Sequence, residues 1–138
     1  MLKRIMTFMI MLAVLVCFYL FNNPPIFNSY AQDFEVYLNE SSSNAQIVSV
    51  NRWEYVFLSG IKGESIKLEK ERFDLEKFIY DNRAQIVMEE DLIGVKNIYA
   101  FSNNIKYVKT IRGIKVNIHI AISPEQVTIG SPIIFGSF

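Results

Sequence analysis

Hydrophobic and polar positions divide the chain into two unlike parts. An uncharged stretch from Ile5 to Phe21, rich in Ile, Met, Leu, Val and Phe, follows Lys3 and Arg4, and Asn22-Asn23-Pro24-Pro25 ends any helix it forms, because proline removes a donor and clashes with the preceding turn. Residues 32–45 form a polar entry ending in Ser41-Ser42-Ser43-Asn44 and read as a linker or edge loop. Beyond them a period of two dominates. Gln46 to Ser59 is β-branched or aromatic, with Trp53, Tyr55 and Phe57 on one face, and reads as one long strand or a tight pair. Lys62-Gly63 turns the chain into an alternating stretch from Ser65 to Glu69.

The period then lengthens. Phe73, Leu75, Phe78, Ile79 and Ala84 recur at helical spacing, with Asp74 as N-cap, which predicts a helix of about ten residues. Gln85–Met88 and Val95–Phe101 read as strands around a charged turn at Glu89-Glu90-Asp91 and Gly94. After a short strand near Tyr107–Ile111, Ile114, Val116, Ile118, Ile120 and Ile122 alternate with Lys115, Asn117, His119, Ala121 and Ser123, the pattern of a half-buried central strand. Val127 to Phe135 reads as the last strand, at an edge or bulged at Pro132, which has no ladder donor. The order predicts an α+β domain: an antiparallel sheet of about five strands with one helix packed on one face, after an N-terminal hydrophobic helix. The divisions are 1–31 signal peptide or membrane anchor, 32–45 linker and 46–138 folded domain.

The N-terminal run sits between two classes. It falls at the lower limit of the roughly 17–25 residues of a membrane span and above the roughly 7–15 of a signal-peptide core. Lys3 and Arg4 ahead of it place the N-terminus in the cytoplasm and export the rest. Ser29-Tyr30-Ala31 provides small residues for cleavage before Gln32, so secretion stands beside anchoring. Cys17 is preceded by the bulky Val16, unlike a lipoprotein site, and reads as an apolar helix residue. Asn39-Glu40-Ser41 fits a glycosylation acceptor pattern, although a match so short is commonly chance.

Composition removes several classes. With 138 residues the chain holds one domain at most, and with one Cys and one His it has neither a disulfide framework nor a finger-type zinc site. All 14 acidic side chains, and all of the 14 basic ones except Lys3 and Arg4, lie beyond residue 31, a net charge of about −2 for that part. Such a surface lacks the clustered Lys and Arg that phosphate contacts need, which argues against nucleic acid.

Candidate chemistry is sparse. His119 is the only imidazole, and with Asn117 and Lys115 it lies opposite the five β-branched residues, a polar face able to bind a ligand or, through His119, to move a proton. No phosphate loop, nucleophile elbow, His pair or carboxylate pair at metal-ligand spacing accompanies it, so neither catalytic residues, a cofactor nor a metal are expected. Glu89-Glu90-Asp91 reads as a solvated turn rather than a metal cluster. Trp53, Tyr55 and Phe57 read as core, with a glycan-stacking platform as the alternative.

Three stretches resemble YwmB-like proteins of Gram-positive bacteria: Ile98-Tyr99-Ala100-Phe101-Ser102, Gly113-Ile114-Lys115-Val116-Asn117-Ile118-His119-Ile120-Ala121, and Val127-Thr128-Ile129-Gly130-Ser131-Pro132-Ile133-Ile134, with Gly63-Glu64-Ser65 as a fourth. The likeness covers residues 63–138. It implies an exported, membrane-linked protein whose fold is compared with the TATA-box-binding protein, a curved antiparallel sheet carrying helices. Because this chain is shorter than typical members, the likeness also implies half of that fold, completed in a homodimer. It carries over no binding or catalytic residue, and the nucleic-acid binding its name suggests is fold analogy alone.

These readings converge on an exported or membrane-anchored cell-envelope protein, not an enzyme. Its partner, a protein or a cell-wall polymer, is met through the polar sheet face or an exposed edge. The alternative is a small hydrolase or transferase built on His119.

Overall fold

Among the described residues the first helix, α1 (Leu2–Phe21), is followed by nine strands, two short α-helices and a 3-10 turn in the order β1 (Asp33–Tyr37), β2 (Ile47–Asn51), α2 (Arg52–Tyr55), β3 (Gly63–Glu69), the 3-10 turn (Lys70–Arg72), α3 (Leu75–Asp81), β4 (Ala84–Leu92), β5 (Val95–Ser102), β6 (Lys109–Ile111), β7 (Ile114–Val116), β8 (Ile118–Ile122) and β9 (Gln126–Ser131). This computed structural model describes residues 1–21, 24–38 and 46–135. The serine-rich stretch at 41–44, the glycosylation pattern at 39–41 and the terminal residues 136–138 lie outside the described residues.

Seven strands form one antiparallel sheet in the order β2-β1-β3-β9-β8-β5-β4, and β6 and β7 form a separate hairpin. The fold class is α+β as expected, with more strands. One additional strand comes from a segment read otherwise, and one expected strand is cut short. Residues 33–37 lie in the assigned linker, yet Phe34 and Val36 alternate with Asp33 and Glu35, and the strand they form pairs with β2 along its length and with β3 from Glu35 to Tyr37. The expected strand through Gln46–Ser59 stops at Asn51, whose side chain accepts from the Trp53 and Glu54 amides while Glu54 reaches back to the Asn51 amide. That reciprocal capping box turns the chain into α2 and overrides the aromatic alternation.

The long alternating strand also breaks. β7 ends at Val116 and β8 begins at Ile118, with Asn117, fully buried, at the break between them. The Asn117 carboxamide accepts from the Ser102 amide at 2.8 Å and donates to the carbonyls of Ser102 (2.6 Å) and Ile105 (3.0 Å), so its buried polar atoms are matched by an otherwise open turn. β9 lies inside the sheet between β3 and β8 rather than at an edge. It ends at Ser131, one residue before Pro132, so the missing proline donor falls outside the ladder.

One sheet face carries the core. Val36, Val50, Ile66, Ile98, Ile118, Ile120, Val127 and Ile129 pack there under Phe78 of α3, Tyr55 of α2 and Phe27 from the segment after α1. α3 is capped as expected, Asp74 accepting from the Lys77 amide at 2.9 Å, and spans seven residues rather than ten. Phe27 is wholly buried, 6.1 Å from the Phe78 ring, and Tyr30 lies 5.0 Å from Phe78. Residues 24–31, assigned with the signal or anchor, therefore contribute to the folded domain.

The other face is crossed by the chain after β9. Phe135 meets Tyr37 ring to ring at 4.7 Å and donates its amide to the Tyr37 hydroxyl at 3.2 Å. Two glycines make room: a Cβ on Gly130 would stand 2.8 Å from Ile134 Cγ1, and one on Gly63 would stand 2.9 Å from Pro132 Cδ. Gly130→Ala is expected to destabilise the chain by about 1–3 kcal/mol, read as a lower urea midpoint in detergent solution, because the clash is with backbone as well as side chain. An unchanged midpoint would show that the crossing segment yields freely.

Candidate functional site

The three residues proposed for a ligand face separate. Lys115 is exposed on the small β6–β7 hairpin, Asn117 is buried in the turn it clamps, and His119 is only 5% exposed. Alternation along a strand places side chains on a face but does not reveal what covers that face. Here the segment after β9 does.

His119 sits in a defined pocket of contacts. The Ile134 amide donates to Nδ1 at 3.2 Å, which leaves Nε2 to carry the proton and donate to Asn97 Oδ1 at 3.0 Å. The Tyr99 ring stacks on the imidazole at 4.4 Å. Burial lowers the pKa from its ordinary value to about 4, so the ring is neutral at pH 7. With both nitrogens engaged, this imidazole secures the crossing segment to the sheet and is poorly suited to act as a general base in neutral solution.

The acidic stretch also changes meaning. Glu89-Glu90-Asp91 belongs to β4, and the hairpin turns at Ile93-Gly94 instead. Glu89 pairs with Lys96 and Glu90 with Arg112, each at 2.7 Å. Among the described residues no group of three or more His, Cys, Asp or Glu side chains is placed to hold a metal ion.

A second buried ionisable group lies on the core side, one the sequence reading did not single out. Glu64 is fully buried; its Oε1 accepts the Phe27 amide at 2.9 Å and its Oε2 accepts the Tyr55 hydroxyl at 2.5 Å. Burial raises its pKa, and the Tyr55, Phe27 and Ile26 donors and the Lys106 charge oppose that rise. Burial and the neighbouring carboxylate likewise push the Tyr55 hydroxyl up, so it remains protonated and donates. The carboxyl thus joins β3, α2 and the stretch directly behind α1.

Trp53 and Phe57 depart most from expectation. Both were assigned to the core with Tyr55, and both are 73% exposed while Tyr55 is buried. They border a groove of about 860 Å³ with Pro24, Pro25 and Cys17. The sequence signal for this was present in Asn51-Arg52-Trp53-Glu54, since a helical turn puts residues 53 and 57 on one side and 55 on the other.

α1 is long and apolar enough to cross a membrane, over Leu2–Tyr19, and none of that window is buried against the domain. No family model matches the chain, and no curated protein or solved structure matches it either.

The two buried groups oppose each other in pH. His119 has a folded pKa below its unfolded one, so its contribution is complete above pH 6.5 and is lost as pH falls toward 4. Glu64 has a folded pKa above 4.5, so its contribution is complete below 4.5 and is lost as pH rises through the folded value. The difference in unfolding free energy between the native chain and His119→Gln is expected to change by about 3 kcal/mol from pH 7 to pH 4, in favour of the variant at acid pH. A constant difference across that range would show that the ring is not buried neutral.

Proposed function

We propose that this chain is a membrane-tethered envelope domain, held by an uncleaved α1, that binds a partner without catalysing a reaction. The observation that carries the tether is Phe27. A cut before Gln32 would remove a fully buried core ring and the amide bonded to Glu64, leaving a cavity under α3 and a buried carboxyl short of a donor. Losses of those kinds cost about 3–5 and 1–3 kcal/mol respectively, a large share of an ordinary domain's stability. Lys3 and Arg4 put the N-terminus on the cytoplasmic side and the sheet outside.

Support for a binding role lies in the sheet edges. β2 and β4 end the strand order, and β4 presents nine residues whose tip carries exposed Leu92 and Ile93. Ile93 has φ +48°, a strained setting for a β-branched residue in a tight turn. An outer strand of this length is suited to pairing with a strand of a protein partner, including a second copy of this chain. The buried His119 and Asn117 favour the edge over the polar face as the contact surface. Membership of the YwmB-like proteins fits this reading and is part of the proposal.

Fractionation with intact-mass measurement of the tagged protein tests the tether. A membrane-bound species retaining residues 1–31 is expected. A soluble species beginning at Gln32 would overturn it.

A further inference from the structure

The exposed aromatic pair gains meaning from its position. Tyr55 is fixed inward by its bond to Glu64 and by the Phe34 ring at 5.8 Å, and the capping box fixes where α2 begins. Trp53 and Phe57, two residues to either side of Tyr55, are thereby held outward in water. Exposing two large rings with so much supporting structure is costly unless something covers them.

The length of chain says what covers them. Pro25 is buried in the domain, and α1 ends at Phe21. The three-residue step from Phe21 to Pro24 spans at most roughly 11 Å. A headgroup layer is roughly 5–8 Å thick on each side of the hydrocarbon, so a domain tethered this closely stands against the membrane surface. The groove that Trp53 and Phe57 border is lined by Pro24 and Pro25, the point where the tether enters the domain, and by Cys17 from the end of α1. Arg52 and Asp33 on the same groove offset each other in charge, so the surface suits an interfacial contact made by rings rather than a contact with anionic lipid.

We infer that Trp53 and Phe57 dock into the headgroup region of the bilayer that α1 spans, holding this face of the domain down on the membrane. The inference rests on the tether proposed above. It deepens that reading by fixing the orientation of the domain, leaving the β4 edge to face away from the tether groove or along the surface for a partner.

Trp53 is the sole tryptophan, so it reports on itself. Full-length protein is reconstituted into phosphatidylcholine vesicles with or without lipid brominated near the top of the acyl chain, and its emission is excited beyond tyrosine absorption. Flotation of the vesicles is scored first. The expected result is protein that floats, with most Trp53 emission lost to brominated lipid, little access for aqueous iodide, and no dependence on added phosphatidylglycerol. Phe57→Asp, at an exposed position, is expected to float equally and keep its circular dichroism while restoring iodide access to Trp53. Protein that does not float would overturn the tether and this inference together. Floating protein with Trp53 open to iodide and untouched by bromine would overturn the docking alone. Trp53 shielded from both quenchers would also overturn it, since the cover would then be protein.

Discussion

A buried carboxyl organises this protein. Glu64 lies in β3 beneath the core, where an unpaired carboxyl would cost several kcal/mol, and it is satisfied by the Phe27 amide and the Tyr55 hydroxyl. Those donors belong to the segment behind α1 and to α2. Removing either would leave the carboxyl short of a partner, so the same group that completes the core also fixes the exit of the N-terminal helix and the outward set of Trp53 and Phe57. The arrangement links the sheet, the segment behind α1 and the aromatic face through two side chains and one backbone amide.

The opposite face is organised by a second buried polar residue. His119 accepts from the Ile134 amide, and Tyr37 accepts from the Phe135 amide, so the chain after β9 is held by hydrogen bonds and by ring contact. Gly63 and Gly130 on the neighbouring strands permit the approach. The cluster of small, aromatic and imidazole residues toward the C-terminus is thus accounted for by one crossing segment.

Much of the fold was legible where local chemistry and tertiary contact agree. The Asp74 cap, the alternation through Ile118–Ile122 and the apolar run of α1 each read directly as the element they form. Legibility failed where a short-range signal competed with a longer one. Three alternating aromatics outweighed the capping box of Asn51 and Glu54, and five residues of β1 were lost among polar neighbours. The charged run at 89–91 looked like a turn, yet pairing with β5 carried the strand on to Leu92. For the candidate site the sequence indicated the imidazole but not its cover, because the burial of His119 depends on residues fifteen positions away along the chain. Glu64 stood in one of the resembling stretches, but nothing there indicated its burial: a lone Glu at the start of a strand is ordinarily a surface residue, and only the return of Phe27 and Tyr55 to it encloses it.

Native-state hydrogen exchange at the Phe27 amide tests the central claim most directly. If Glu64 binds the segment behind α1 into the core, that amide exchanges only with global unfolding, at the same free energy as the amides of β8 and β9, and in Glu64→Leu its protection falls well below that of the remaining sheet. Exchange of the Phe27 amide at the rate of a frayed terminus, with the sheet still protected, would contradict the account.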